Sequence, residues 1–161
     1  MLAFFQCGFI TPAATDCPTA EIPQAEGVAV AEATLEAPAD GVVEIHGSTA
    51  VRTTGSPMFI IWVSSEAQCA NAGQGAAAQA IGRQVAGTSA QGEVETVTVQ
   101  AADSVTAGPV TYYLCGFHFG APAAQPVWTA QLSLRWNQSA TSAITPAASG
   151  RIDHAAGGLG G

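Results

Sequence analysis

From Trp128 to Trp136 the chain alternates. Trp128, Ala130, Leu132, Leu134 and Trp136 are apolar, while Thr129, Gln131, Ser133, Arg135 and Asn137 are polar. A period of two marks a strand with one buried face, because successive side chains leave a strand on opposite sides. The indoles are expected in the core and the polar face near a subunit contact. The same pattern recurs upstream. Residues 27–36 are rich in Val and Ala, with Val28 and Val30 on one face and Leu35 on the other. Val43, Ile45, Thr49 and Val51 alternate with Glu44, His46, Ser48 and Arg52. Val97 and Val99 oppose Thr96 and Thr98. Val110, Tyr112 and Leu114 oppose Thr111, Tyr113, Cys115, Phe117 and Phe119. Met58 to Val63 is a continuous apolar run of strand length, as a central strand buried on both faces requires.

Turn chemistry punctuates these runs. Pro38-Ala39-Asp40-Gly41 is predicted to turn with Gly41 at positive φ and Asp40 bonded to its own backbone, and Thr54-Gly55-Ser56-Pro57 and Ala107-Gly108-Pro109 read as further turns. Residues 70–80 are Ala-rich, but Gly73, Gly75 and the nearby Gly82 favour a surface loop. About seven or eight strands with regular turns predict an all-β fold, a single antiparallel β-sandwich over residues 21–137. Residues 1–20 read as an N-terminal arm with a disulfide-capable loop, and residues 138–161 as a C-terminal extension. The tail Ala155-Ala156-Gly157-Gly158-Leu159-Gly160-Gly161 is expected to be mobile unless a neighbouring subunit holds it.

Charge sharpens this picture. Only 10% of the 161 residues are charged; lysine is absent, and Arg52, Arg83, Arg135 and Arg151 face twelve carboxylates for a net charge of -8. Four scattered arginines cannot neutralise a run of phosphates, so neither nucleic acid nor an anionic membrane is an expected partner. A surface of Ala, Gly, Ser, Thr and Gln suits a protein covered by neighbours in an assembly. A genome with high GC content would also favour this composition, and both explanations stand. The longest apolar run is too short to span a bilayer, and the start Met1-Leu2-Ala3-Phe4-Phe5-Gln6-Cys7 has no basic segment of a signal peptide.

Candidate chemistry is sparse. Nine residues separate Cys7 from Cys17 and forty-five separate Cys69 from Cys115, unlike the close pairs of a zinc site. Two disulfides, Cys7–Cys17 and Cys69–Cys115, are the simpler expectation, with buried free thiols the alternative; oxidised pairs imply a compartment outside a reducing cytoplasm. Glu44 and His46 share a strand face that reads as solvated, and His118 reads as a rim residue. Tyr112, Tyr113, Trp128 and Trp136 belong to a core or an interface, or else to a stacking strip for sugar rings. Asn137-Gln138-Ser139 fits a glycosylation sequon. Nucleophile-elbow, zincin, phosphate-loop and dinucleotide patterns are absent, and no metal, cofactor or catalytic residue is expected.

Two segments carry a family resemblance. Ala37-Pro38-Ala39-Asp40-Gly41-Val42-Val43-Glu44-Ile45 resembles the turn-and-strand segment of C1q/TNF-like jelly rolls. Val105-Thr106-Ala107-Gly108-Pro109-Val110-Thr111-Tyr112-Tyr113-Leu114 resembles a segment of bacterial surface and phage virion sandwiches of that kind. The resemblance covers residues 21–137 and implies a jelly-roll, C1q/TNF-like or Ig-like sandwich. Such domains form trimeric heads of fibres, surface proteins and virion appendages, although this chain lacks their collagen or coiled-coil stalk. The resulting expectation is a non-enzymatic assembly protein. It would be a phage virion component (a capsid decoration or cement protein, or a fibre head), binding copies of itself, trimeric in the resemblance, or other virion subunits through its arms. An exported surface or filament subunit is the alternative and a carbohydrate-binding module the third reading. Arg135, Arg151, Asp153, His154 and Leu159 are the candidate interface residues.

Overall fold

The computed structural model describes residues 1–8, 21–24, 27–53, 55, 57–66, 69, 80–86, 93–121 and 123–138. They form β1 (Leu2–Gly8), β2 (Glu21–Ile22), β3 (Val28–Ala37), β4 (Gly41–Arg52), β5 (Met58–Ser64), β6 (Gly82–Ala86), β7 (Val94–Val105), β8 (Gly108–Phe119) and β9 (Gln125–Gln138). One sheet has the order β1-β9-β4-β7, with β2 also on β9; the other has the order β3-β8-β5-β6. All these pairings are antiparallel. The pairs nest: β5 with β6, β4 with β7, β3 with β8 and β1 with β9. A long hairpin whose arms stay paired while wrapping a core is a jelly roll, one of the sandwich types expected above. The two resembling segments form adjacent corners, β3–β4 and β7–β8, and Asp40 Oδ1 accepts a hydrogen bond from the Ala107 N–H at 3.0 Å.

The core lies where the alternation puts it. Val43, Ile45 and Val51 of β4, Val97 and Val99 of β7, Tyr112 and Leu114 of β8, and Ala130, Leu132 and Leu134 of β9 are buried together. In β5, Phe59, Ile61 and Val63 join this core while Ile60 and Trp62 enter a second cluster on the outer side, so the run is buried on both faces as expected. The Tyr112 hydroxyl is inside the sandwich and donates to Asp103 Oδ2 at 2.9 Å. Burial first, then this hydrogen bond and the carboxylate's charge, push its pKa well above the ordinary phenol value.

Several expectations change. The sandwich starts at Leu2 rather than residue 21, because β1, read as part of an arm, pairs with β9 from Leu2↔Arg135 to Gly8↔Thr129. A strand absent from the sequence reading, β6, pairs with β5. Gly41 is not among the glycines at positive φ, which include Gly55, Gly108 and Gly120. It opens β4 beneath the Trp136 indole, where a Cβ would sit 2.5 Å from Nε1 and 2.6 Å from the Asn137 carbonyl oxygen. Close packing, not turn conformation, requires glycine there. In β9 the register slips between Ala50↔Thr129 and Val51↔Val127. This bulge puts Val127 in the core and leaves Trp128 half-buried outside it. Trp136 does pack against the core, and its Nε1–H donates to the Ala39 carbonyl at 3.1 Å.

Candidate interaction surface

The outer face of the β1-β9-β4-β7 sheet gathers the polar half of each alternation. The strand registers align Gln6, Gln131, Ser48 and Thr98 in one row, Phe4, Ser133, His46 and Gln100 in the next, and Leu2, Arg135, Glu44 and Ala102 in a third. The first two rows contain no Asp, Glu, Lys or Arg. They border a shallow cavity of about 180 Å³ lined by Phe4, His46, Ser48, Thr98 and Gln131 among others. The third row puts Glu44 directly across the ladder from Arg135. Glu44 and His46 thus lie on an open sheet face, and among the described residues no group of three His, Cys, Asp or Glu side chains could hold a metal ion.

The outer face of the other sheet is different. Trp62 and Phe117 meet edge-on with ring centroids 5.6 Å apart, and Phe117 meets Phe119 at 4.8 Å. The Cys69–Cys115 disulfide, with Cα atoms 5.8 Å apart, joins the chain beyond β5 to the middle of β8. Cys7 is disulfide-bonded; Cys17, its expected partner, lies outside the described residues. So do Arg151, Asp153, His154 and Leu159, and Ser139 of the sequon. Arg135 alone of the candidate interface residues is described, and it is exposed.

The four aromatics considered for sugar stacking do not share a face. Tyr112 is in the core, Tyr113 is half-buried beside the second cluster, Trp136 packs against the core, and Trp128 sits at the bulge. No platform results from them.

His118 is not at the rim. The β8 alternation turns it inward, it is fully buried, and its ring meets Phe59 edge-on at 6.2 Å. Neither ring nitrogen has a hydrogen-bond partner among the described residues. Burial lowers its pKa, against a smaller opposite pull from the backbone at Phe119 and Ala123. The folded state therefore resists a proton that the unfolded state accepts below about pH 6.5. Stability is expected to be complete above that pH and to fall below it, down to the lowered folded-state value. Urea midpoints measured from pH 8 to pH 5 should decline in the parent chain and decline less in His118→Leu. Equal declines would assign the effect to other groups.

Sequence reasoning missed the apolar edge at Leu2 and Phe4, because Ala3 and Phe5, which pack on the core, are apolar too and leave no alternation to read. No family model matches the chain, and no curated protein matches it. Among solved structures, one of infectious bursal disease virus Gx strain is similar over 83% of this chain, at 8% identity and a TM-score of 0.40. The match spans 32% of that structure's chain.

Proposed function

We propose that this chain is a non-enzymatic assembly protein of a virion, a capsid decoration protein or fibre head that binds neighbouring subunits. The observation that carries the reading is the broad outer face of the β1-β9-β4-β7 sheet, whose central rows are polar apart from Phe4 and contain no Asp, Glu, Lys or Arg. Such a face can be covered by another subunit without stripping water from ions, the step that makes charged interfaces costly. The residues beyond Gln138 supply the clamping arm of the proposal. A second reading, an exported bacterial surface or filament subunit, is favoured by the Cys69–Cys115 disulfide, which requires an oxidising setting.

Three chains test the proposal by sedimentation and electron microscopy: the full chain, a chain ending at Gln138, and the full chain with Thr98→Glu and Gln131→Glu. Ending at Gln138 removes no residue of β9, and Thr98 and Gln131 point away from the core. All three should keep the β-rich circular dichroism spectrum. Only the full parent chain should form the native assembly. Normal assembly by both variants would refute the role of the face and of the arm together.

A further inference from the structure

The edges of the two sheets are not equally protected. Natural sheets blunt their edges with charges, prolines, bulges or inward-pointing ionisable groups, since an open edge templates pairing with another chain. The β3 edge has Glu32 and Glu36 and a bulge between Ala29 and Ala31. The β7 edge has Glu95 and Asp103 at core-side positions and lies against β6, where a Cβ on Gly82 would come within 2.8 Å of the Gln100 carbonyl oxygen. The β6 edge carries Arg83. The first residues of β1, Leu2-Ala3-Phe4-Phe5, have none of these devices.

The ladder shows which backbone groups this edge offers. The Trp136 N–H donates to the Met1 carbonyl at 3.1 Å, and the register continues as Ala3↔Leu134 and Phe5↔Leu132. In an antiparallel pair the bonded residues alternate, so Met1, Ala3 and Phe5 turn their backbone groups to β9. Leu2 and Phe4 turn theirs to the opposite side, and among the described residues β9 is the only strand paired with β1. Leu2 and Phe4 are also 70% and 57% exposed.

We propose that this edge pairs with the same edge of a second copy of the chain, antiparallel about a two-fold axis. The register is set by the chain: Leu2 lies opposite Phe4 of the second copy, and Ala3 opposite Ala3. Each Leu2–Phe4 pair then exchanges both of its free backbone hydrogen bonds and buries two exposed apolar side chains on one face. A copy of the same chain fits because a two-fold contact demands a self-complementary strip. Leu2 to Phe5 is uncharged in a chain of net charge -8, so two copies meet here without like charges in register. Gln6 and Cys7 have other interactions and are not part of the contact. The inference does not depend on a virion setting or on the arm beyond Gln138.

The test is the mass of the full chain against concentration, by light scattering after gel filtration. A concentration-dependent dimer is expected. Phe4→Glu should raise its dissociation constant more than tenfold while leaving the thermal midpoint in place, because the side chain is exposed. Adding Leu2→Lys to Phe4→Glu should recover most of the loss, since the register sets the two new charges opposite each other. A monomer at every concentration, or a dimer indifferent to Phe4→Glu, overturns the proposal, and failure of the rescue overturns the register. A chain ending at Gln138 should still dimerise. If it does not, while Phe4→Glu does, the contact belongs to the arm and not to β1.

Discussion

Replacing Cys69 and Cys115 together by serine is expected to lower the unfolding free energy by about 3 kcal/mol. The bond spans 46 residues of sequence. Releasing a loop of that size returns entropy to the unfolded chain worth about 4 kcal/mol in the chain-entropy model. Part of this is offset, because Cys69 has a φ of 54°, a left-handed conformation that costs a non-glycine residue about 1 kcal/mol, and the freed chain can relax it. The effect should not be confined to the loop. Cys69 and Cys115 are themselves members of the outer cluster with Ile60, Trp62 and Phe117, so the reduced or substituted protein should expose tryptophan. Urea unfolding followed by tryptophan fluorescence reads both changes. A loss below about 1 kcal/mol would mean that the unfolded chain is already held near this geometry by other contacts.

The second large effect concerns the contact between the sheets. Gly47 of β4 faces Leu114 of β8, and a Cβ on Gly47 would lie 2.6 Å from Leu114 Cδ1 and 3.1 Å from Val99 Cγ1. Leu114→Ala should cost about 3 kcal/mol through lost burial and the cavity left behind. Gly47→Ala should cost about 2 kcal/mol, because a methyl group is forced into a filled space. The double variant should cost about 3 kcal/mol rather than the additive sum of about 5, the new methyl occupying part of the vacated volume. Urea unfolding of the four chains gives the coupling directly. Additivity within about 0.5 kcal/mol would mean that the two sites do not share packing space.

The sandwich was legible because β4 and β9 keep an alternation over most of their length, and β7 and β8 over part of theirs, and alternation is a direct imprint of a two-faced sheet. The Cys69–Cys115 pair was legible for a related reason: both cysteines follow strand patterns of the sandwich core, and the structure puts those strands, β5 and β8, side by side. What failed to show has physical causes. In β1 the apolar residues sit on both faces, since Leu2 and Phe4 point outward while Ala3 and Phe5 pack on the core, and this cancels the periodic signal. Strand β6 is short, and its start at Gly82 imitates a loop. The bulge at Val127 and Trp128 shifts the pattern by one residue, which sequence alternation alone cannot register because Val127 and Trp128 are both apolar. His118 was placed by its neighbours Phe117, Phe119 and Gly120 rather than by its parity with Tyr112 and Leu114, and parity was the better guide. For the candidate surface, the polar face of β9, on which Arg135 is the only arginine, lysine or carboxylate, could be read directly. The apolar edge beside it could not, because its exposure depends on β1 being the last strand of a sheet.

That nested pairing also sets an order of events in time. The innermost partners, β5 and β6, are near neighbours along the chain, whereas β1 pairs with β9, the last described strand. Non-local pairings of this kind make folding slow, because chain entropy is given up before the contacts return it. On the ribosome the apolar residues of β1 must wait for β9, which lies more than a hundred residues later in the chain. The same four residues that would join two finished copies are therefore the ones most in need of shielding in a growing one.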